Sequence, residues 1–394
     1  SVAELNTAFD QSSTLQVPNL KTKLSTPPLH LYLHIPFCHR ICPYCSFYKH
    51  TPGDTDLAGF IDGLIAEARR RAAELEGPDI KTLYLGGGTP SMLSPTHLRR
   101  LFEGLRESFA LSDAEEISLE ANPATFARET ADTYAEIGVT RVSLGAQSFH
   151  PDHLVTLGRQ HSPEDIAKSA TLLRCAGFTN ISIDLMFSIP GQSLADWEHT
   201  LEQALAVETG HLSAYNLTYE EDTPFFESFQ NGDYRDDHDL NAQMFELAHE
   251  KLTTRGYHHY ETSNYGLEDR KSLHNQAYWK GADYLGLGPS AVSTISGRRW
   301  KNVPDTSRYL HQIERVGHAE TEVENLTAEQ FDLERIALML RTERGVPKRH
   351  LGIVRPERIE QVISEDLAEF SAENLRLIGR GPLLVDSIVE HLVS

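Results

Sequence analysis

Short apolar runs alternate with amphipathic segments from about residue 30 to residue 217. Runs that are continuously apolar or of period two predict strands, and segments with an apolar residue every three or four positions predict helices. The predicted strands are Leu31–Ile35, Thr82–Leu85, Glu116–Glu120, Arg141–Gly145, Asn180–Phe187 and His211–Leu217. The predicted helices lie near 56–76, 94–109, 126–137, 163–176 and 194–207, with Ser94, Ser162 and Ser193 as candidate N-caps.

A βα unit that occurs six times implies parallel strands with right-handed crossovers. An open doubly wound sheet and a barrel both satisfy this pattern, and six units predict a partial (βα)6 barrel over residues 30–217 in an α/β protein. In either architecture the loops after the strands converge at one edge. Polar residues at successive strand ends are therefore expected to share one pocket.

The flanking segments follow other patterns. Residues 1–29 show little periodicity and are expected to form a loose extension, and residues 218–320 predict a smaller α+β region. Amphipathic segments at 327–343 and 355–371, followed by apolar runs at Leu375–Gly379 and Leu383–Val385, predict two helices and a hairpin over 321–394. This order resembles a winged helix, for which interspersed acidic residues favour packing or protein contact over nucleic-acid binding.

Charge and cysteine usage exclude several classes. With 57 acidic and 36 basic residues among 394, the formal net charge is -21, which repels phosphate backbones. No run approaches the roughly 20 apolar residues of a membrane helix, and the first residues lack the order of a signal peptide. We expect a cytoplasmic protein without nucleic-acid partners and with weak membrane contact at most. Three of four cysteines are clustered, which favours ligation over disulfides, whereas Cys175 stands alone.

The clustered cysteines directly follow the first predicted strand. Cys38, Cys42 and Cys45 have the spacing C-x3-C-x2-C. Structural zinc with His34, His39 or His50 as the fourth ligand is one interpretation, but zinc sites usually come as two separated pairs. Three thiolates on one loop favour an iron–sulfur cluster with one open coordination position.

This motif on a βα repeat resembles the radical S-adenosylmethionine (SAM) superfamily. The resemblance implies that the three thiolates bind three irons of a [4Fe–4S] cluster while SAM chelates the fourth. One electron, from a donor such as flavodoxin or ferredoxin, would then cleave SAM to methionine and a 5′-deoxyadenosyl radical. The protein would orient this cofactor chemistry.

Further segments are similar to oxygen-independent coproporphyrinogen III oxidase and its relatives. They are His34–Cys38, Gly86–Pro90, Glu120–Pro123, Ser143–Phe149, Gly158–His161 and Ile183–Met186. The resemblance implies that Cys38, Cys42 and Cys45 hold the cluster and that SAM contacts Tyr32, Tyr44, Gly87, Gly88, Thr89, Glu120, Gln147, Arg159 and Asp184. An arginine suits the carboxylate of SAM, and carboxylates or amides suit its hydroxyl groups.

Two features distinguish branches of this family. The oxidases carry a further cysteine two positions after the third ligand, where this chain has Phe47. The motif His-Asn-x-x-Tyr-Trp, at residues 274–279, is similar to the HemW branch, whose members are described as haem chaperones. This resemblance implies haem as cargo, haem-acceptor proteins as partners and His274 as a haem ligand. A coproporphyrinogen III oxidase and a radical SAM methyltransferase remain alternatives.

Overall fold

The computed structural model describes residues 29–394. The extension predicted over residues 1–29 therefore lies outside the described residues, apart from Leu29, which begins the first strand. No helix within residues 29–394 is long and apolar enough to cross a membrane.

Six parallel strands form the centre of the fold, in the order β1 to β6. They are β1 (Leu29–Ile35), β2 (Ile80–Gly87), β3 (Glu116–Ala121), β4 (Arg141–Gln147), β5 (Ile181–Phe187) and β6 (His211–Asn216). The helices between them are α1 (Leu57–Glu74), α2 (Pro95–Ser108), α3 (Arg128–Glu136), α4 (Pro151–Thr156), α5 (Pro163–Cys175) and α6 (Leu194–Ala206). The predicted six βα units are confirmed, and the short helix α4 is an addition to them.

The same sheet continues beyond both ends of this arc. Beyond β6, strand β8 (Asn264–Gly266) pairs antiparallel with β6, and β7 (His258–Glu261) pairs antiparallel with β8. At the other end, β9 (Tyr284–Leu287) pairs parallel with β1. Strands β10 (Val292–Ile295), β11 (Arg298–Asn302) and β12 (Glu320–Asn325) follow β9 as antiparallel neighbours. The helices here are α7 (Pro224–Gln230), α8 (His238–Thr254), α9 (Leu273–Trp279) and α10 (Thr306–Val316). In the described residues no pairing joins β7 to β12, so the barrel is open.

The two faces of the arc differ in polarity because neighbouring side chains of a strand alternate. On β1, Leu31, Leu33 and Ile35 are fully buried in the main hydrophobic core, which also includes residues of the surrounding helices. The intervening side chains of β1 to β6 point into the arc, and most of them are polar. The interior of the barrel is therefore a polar chamber with an apolar shell.

The C-terminal region has its own apolar core. Its elements are α11 (Ala328–Met339), β13 (Val346–Pro347), α12 (Pro356–Ser364), β14 (Ala368–Ser371), β15 (Asn374–Leu377) and α13 (Val385–Val393). The helix predicted over 355–371 is wrong beyond Ser364, since Asp366 has a positive φ of 57° and the chain continues as a strand. The hairpin is β14–β15, turning at Ala372 with φ 53°, and the segment predicted as its second strand is instead a short 3-10 helix over Gly381–Leu384.

Candidate functional site

The clustered cysteines lie on the loop between β1 and α1, at the carboxyl edge of the parallel strands. Cys38, Cys42 and Cys45 are free thiols and all three line a cavity of about 480 Å³. The loop is anchored by backbone hydrogen bonds from Cys38 N to His50 O, at 3.0 Å, and from Cys45 N to Cys42 O, at 3.2 Å. Burial raises the pKa of the Cys38 and Cys45 thiols above their usual value. Three thiols on one anchored loop fit a multi-iron cluster.

Two of the three histidines that could complete a zinc site, His34 and His50, are engaged elsewhere, whereas His39 lines the cavity. Both ring nitrogens of His34 are engaged, Nδ1 with Tyr32 Oη at 3.0 Å and Nε2 with Tyr48 O at 2.7 Å. The ring of His50 is likewise engaged, with Thr51 O and Thr306 Oγ1, both at 2.7 Å. Within residues 29–394, no three His, Cys, Asp or Glu side chains converge as ligands of one metal ion.

The glycine segment after β2 packs directly against the cysteine loop. Gly88 N donates to Ile35 O and Thr89 N donates to Phe37 O, both at 2.7 Å. A Cβ on Gly88 would lie 2.7 Å from Phe37 O, and Gly87 has a φ of 108°, so both positions require glycine. Thr89 Oγ1 also donates to Cys38 Sγ at 3.5 Å. Gly87, Gly88 and Thr89 consequently line the cavity next to the first thiol.

Glu120, near the end of β3, contacts the glycine segment and also lines the cavity. Tyr84 Oη donates to its Oε1 at 2.8 Å, and Gly87 N donates to its Oε2 at 3.2 Å. Burial raises the pKa of Glu120 to about 7, and the nearby Asp184 carboxylate acts in the same direction. Glu120 therefore changes charge near neutral pH and, once ionised, accepts hydrogen bonds from an amino group.

Arg159 follows α4 and lies beside the second cysteine. Its Nη1 donates to Cys42 Sγ at 3.7 Å, and its Nη2 donates to Asn122 Oδ1 and Gly145 O, both at 2.5 Å. Asn122 Nδ2 in turn donates to Thr89 Oγ1 at 3.0 Å. Asn122 thus links the arginine to the glycine segment, a positioning role that was not predicted although the residue belongs to the segment Glu120–Pro123.

Asp184, in the middle of β5, and Gln147, the last residue of β4, complete the predicted set. Asp184 accepts hydrogen bonds from Ser143 Oγ, Ser182 Oγ and Ser213 Oγ, the shortest at 2.8 Å. Gln147 has a φ of 67°, which is unfavourable for a residue with a side chain and is found where a site constrains the backbone. Both residues line the cavity.

The two predicted tyrosines occupy different places. Tyr44 lines the cavity, with its ring centroid 6.1 Å from that of Phe225, and burial raises its pKa. Tyr32 is not among the lining residues; its ring stacks behind Tyr84 at 6.2 Å, and its hydroxyl contacts His34. In this arrangement Tyr32 supports the wall of the cavity rather than forming its surface.

His274, on α9, is fully buried and does not line the cavity. Its Nδ1 forms a 2.7 Å hydrogen bond with Thr82 Oγ1, and its ring stacks on Tyr84 at 5.1 Å. Its Nε2 has no hydrogen-bond partner in the described part of the chain. Burial lowers the pKa of His274 to about 3, so the ring is neutral at physiological pH.

Several cavity residues were not predicted, because most of them do not lie at the carboxyl ends of the parallel strands. Among them are Tyr84, Arg141, Ser143, Ser213, Tyr215 and, from α9, Asn275. The signal available in the sequence was the alternation of polar and apolar residues within strands that otherwise appear buried, such as Arg141-Val-Ser-Leu on β4. The cavity consequently extends from the cysteine loop deep into the barrel.

Comparisons with known proteins agree with this arrangement. The family model described as the radical SAM superfamily matches residues 32–204. The solved structure of coproporphyrinogen III oxidase (HemN) from Escherichia coli has a TM-score of 0.82 at 23% identity, covering 95% of this chain and 92% of that one. This likeness shows that the fold is shared. Membership of the superfamily implies a [4Fe–4S] cluster and SAM as cofactors.

Curated relatives extend over nearly the whole chain. Heme chaperone HemW of Mycobacterium tuberculosis is 35% identical over 388 residues, covering 98% of this chain and 99% of the relative. The HemW proteins of Bacillus subtilis and Escherichia coli are 34% and 32% identical, covering 91% and 93% of this chain and 97% and 99% of those relatives. With identity of this level over almost the full length, the chain belongs to the HemW family of the radical SAM superfamily.

Proposed function

We propose that this protein is a radical SAM haem chaperone, which binds a [4Fe–4S] cluster, SAM and haem and delivers haem to acceptor proteins. The observation that carries the proposal is the near full-length similarity to relatives named heme chaperone HemW. Haem-acceptor proteins and an electron donor of the flavodoxin or ferredoxin class are the proposed partners, in the cytoplasm.

The residues around the cavity have complementary roles in this proposal. Cys38, Cys42 and Cys45 would hold the cluster, which together with SAM supplies reductive cleavage chemistry when bound. The Gly87–Thr89 backbone and the ionised Glu120 would accept hydrogen bonds from the amino group of SAM. Arg159, beside Cys42, would pair with its carboxylate. Tyr32, Tyr44, Gln147 and Asp184 complete the proposed set.

The proposed haem ligand His274 requires a movement. A neutral imidazole with a free Nε2 is a good axial ligand for haem iron. His274 is neutral, and among the described residues its Nε2 has no partner. The ring is nevertheless enclosed between Tyr84 and Tyr278, at centroid distances of 5.1 Å and 4.7 Å. For Nε2 of His274 to reach a haem iron, these rings must move away from it, whereas the hydrogen bond of Nδ1 to Thr82 can stay in place.

Oxidative decarboxylation of coproporphyrinogen III is the second candidate function, since the fold of HemN is shared. Phe47 argues against it. It lines the cavity, is 68% exposed and stands where the oxidases carry a further cysteine. An exposed aromatic ring at the mouth of the cavity suits contact with a planar apolar ligand better than thiol chemistry.

The deciding experiment combines haem binding with a substrate incubation. The anaerobically reconstituted protein is titrated with haem while the Soret band is recorded, in the wild type, in His274→Ala and in the exposed-histidine control His238→Ala. We expect saturable binding by the wild type and the control. A second sample receives coproporphyrinogen III, SAM and reductant, and its porphyrins are separated by chromatography. Formation of protoporphyrinogen IX, or the absence of saturable haem binding, would contradict the chaperone function.

A further inference from the structure

A buried cation lies at the inner end of the cavity. Arg141, the first residue of β4, is 2% exposed and lines the cavity. Within residues 29–394 it forms no ion pair, and its only hydrogen bond runs from Nη2 to His211 Nδ1, at 3.4 Å. Its Nε has no hydrogen-bond partner in this part of the chain. A guanidinium carries five N–H donors, and burying them without acceptors is costly, so this site has unused capacity for an anion.

The groups around Arg141 do not accept hydrogen bonds from its remaining N–H donors, because each already bonds other partners. His211 bonds Ser182 Oγ and Tyr260 Oη, both at 2.7 Å, and burial lowers its pKa well below the usual value, so it carries no charge. The carboxylate of Asp184 accepts hydrogen bonds from three serine hydroxyl groups. That leaves Glu116, which interacts with Arg141 only at longer range.

Glu116 caps the first turn of α9. Its oxygens accept hydrogen bonds from Leu273 N at 2.8 Å, His274 N at 3.1 Å and Ser272 Oγ at 3.3 Å. This use of the carboxylate holds the start of α9 against β3. Ser118 Oγ also donates to Glu116 Oε1 at 3.0 Å, and Ser118 is the partner of Arg141 in the sheet register, so α9 begins close to the level of the arginine.

Asn275, in the first turn of α9, provides a second unused polar group. It lines the cavity, and its side-chain amide has no hydrogen-bond partner in the part of the chain that the structure describes. The aromatic rings of Tyr84 and Tyr215 line the same space. The inner end of the cavity therefore combines a forked cation, a neutral amide and aromatic walls.

This inner end is distinct from the cluster end. Arg159 contacts Gly145 O, four residues along β4 from Arg141, which corresponds to roughly 13 Å at the rise of a strand. A ligand carboxylate held by Arg159 beside Cys42 thus leaves Arg141 unused. The two arginines mark opposite ends of one cavity.

We propose that Arg141 and Asn275 form a carboxylate-binding site at the end of the cavity away from the cysteines. Arg141 would bind the carboxylate through its fork of donors, and the Asn275 amide would donate an additional hydrogen bond. The carboxylate belongs either to a small organic acid or to a propionate arm of a porphyrin. The porphyrin source rests on the proposed haem-chaperone function, whereas the small-acid source does not.

The test measures binding to the reconstituted full-length protein by calorimetry, with glutarate as the small-acid probe and dimethyl glutarate as its uncharged control. Haem and haem dimethyl ester are the porphyrin probes, followed by the Soret band. The variants are Arg141→Met, Arg141→Lys and Asn275→Ala. Arg99→Met is the matched control, because Arg99 is exposed and pairs with Glu136 at the surface. Thermal unfolding of every variant is recorded in parallel.

We expect glutarate, but not its diester, to bind the wild type and Arg99→Met equally. Affinity falls ~10- to 100-fold in Arg141→Met, since charge-assisted hydrogen bonds are lost, and ~3- to 10-fold in Asn275→Ala, while Arg141→Lys retains part of it. Asn275→Ala removes no side-chain hydrogen bond within residues 29–394, so it keeps the test decisive if Arg141→Met fails to fold.

The outcomes separate the two proposals. A propionate occupies the site if haem also binds less tightly to Arg141→Met, while haem dimethyl ester binds the variant and the wild type with equal affinity. If only glutarate depends on Arg141, a small acid does. Haem binding that is equal in all variants together with no glutarate binding overturns the carboxylate site but leaves the chaperone function standing. Glutarate binding without any haem binding would support the carboxylate site and contradict the chaperone function.

Discussion

The two ends of the barrel cavity are built from the same strands but by different means. At the cluster end, backbone groups of loops hold the site, as in the hydrogen bonds from Gly88 and Thr89 to the β1 loop. At the inner end, buried side chains hold it, with Glu116 joining β3 to α9. The cluster end is thus specified by short contiguous motifs, and the inner end by residues about 160 positions apart.

The two ends therefore differ in what a substitution affects. Loops at strand ends contribute ligands with little effect on the core, so substitutions there should change binding more than folding. Buried polar groups inside the barrel are costly to leave unsatisfied, so substitutions there should change folding first. Single substitutions at the two ends are expected to follow this division.

The largest expected effect is at the cluster end. Cys42→Ala removes one of three ligands, so the reconstituted protein should lose most of its roughly four irons and its visible absorption band. Cys175→Ala is the matched control, since Cys175 is exposed and lies on α5, away from the cavity. Iron and sulfide analysis with thermal unfolding measures both effects. Equal iron content in the two variants would contradict the assignment of the loop.

At the inner end, Glu116→Ala should destabilise the fold by roughly 3 kcal/mol, because three donors of α9 and Ser118 Oγ lose a buried acceptor. Glu115→Ala is the control, since this neighbouring side chain is 59% exposed and only contacts Lys81 at 3.5 Å. Urea unfolding followed by circular dichroism measures the difference. A loss confined to SAM binding, with stability unchanged, would remove the distinction between the two ends.

His274→Ala should destabilise the protein by about 2 kcal/mol through a lost buried ring and a lost hydrogen bond. Its folded pKa of about 3 lies below the usual 6.5, so the unfolded chain binds an additional proton between these values. Stability from this residue is therefore full above pH 6.5 and declines as pH falls towards 3. Unfolding curves at pH 5 and pH 7.5 should show a smaller acid loss in His274→Ala than in the wild type.

The smallest effect concerns SAM affinity. With a folded pKa of about 7, Glu120 is largely protonated at pH 6 and largely ionised at pH 8. The ionised fraction rises about tenfold between these values, and SAM affinity should rise by the same factor if the carboxylate binds its amino group. Equilibrium dialysis without reductant measures this. Glu120→Gln should bind weakly with a flat pH profile, and a wild-type profile that is equally flat would exclude the role of Glu120.

The six βα units, the cysteine loop and most of the cavity rim could be predicted from the amino-acid sequence. Periodicity encodes strands and helices locally, and parallel strands bring their carboxyl ends together whatever the details of packing. Eight of the nine residues expected to contact SAM line the cavity for this reason, while Tyr32 lies behind Tyr84. Errors in the C-terminal region arose at Asp366 and Ala372, where positive φ values end a helix and turn a hairpin without a glycine.

The residues that line the inside of the barrel became evident from the packing of the folded chain. Polar positions on β3 and β4 do not reveal whether they face solvent, a partner or a cavity. The contact of Glu116 with α9 forms through space and has no local signature, yet it buries His274 and directs Asn275 into the cavity. Within the motif at residues 274–279, His274 therefore lies in the core and Asn275 in the cavity. The direction of each side chain depends on how α9 packs against β2 and β3.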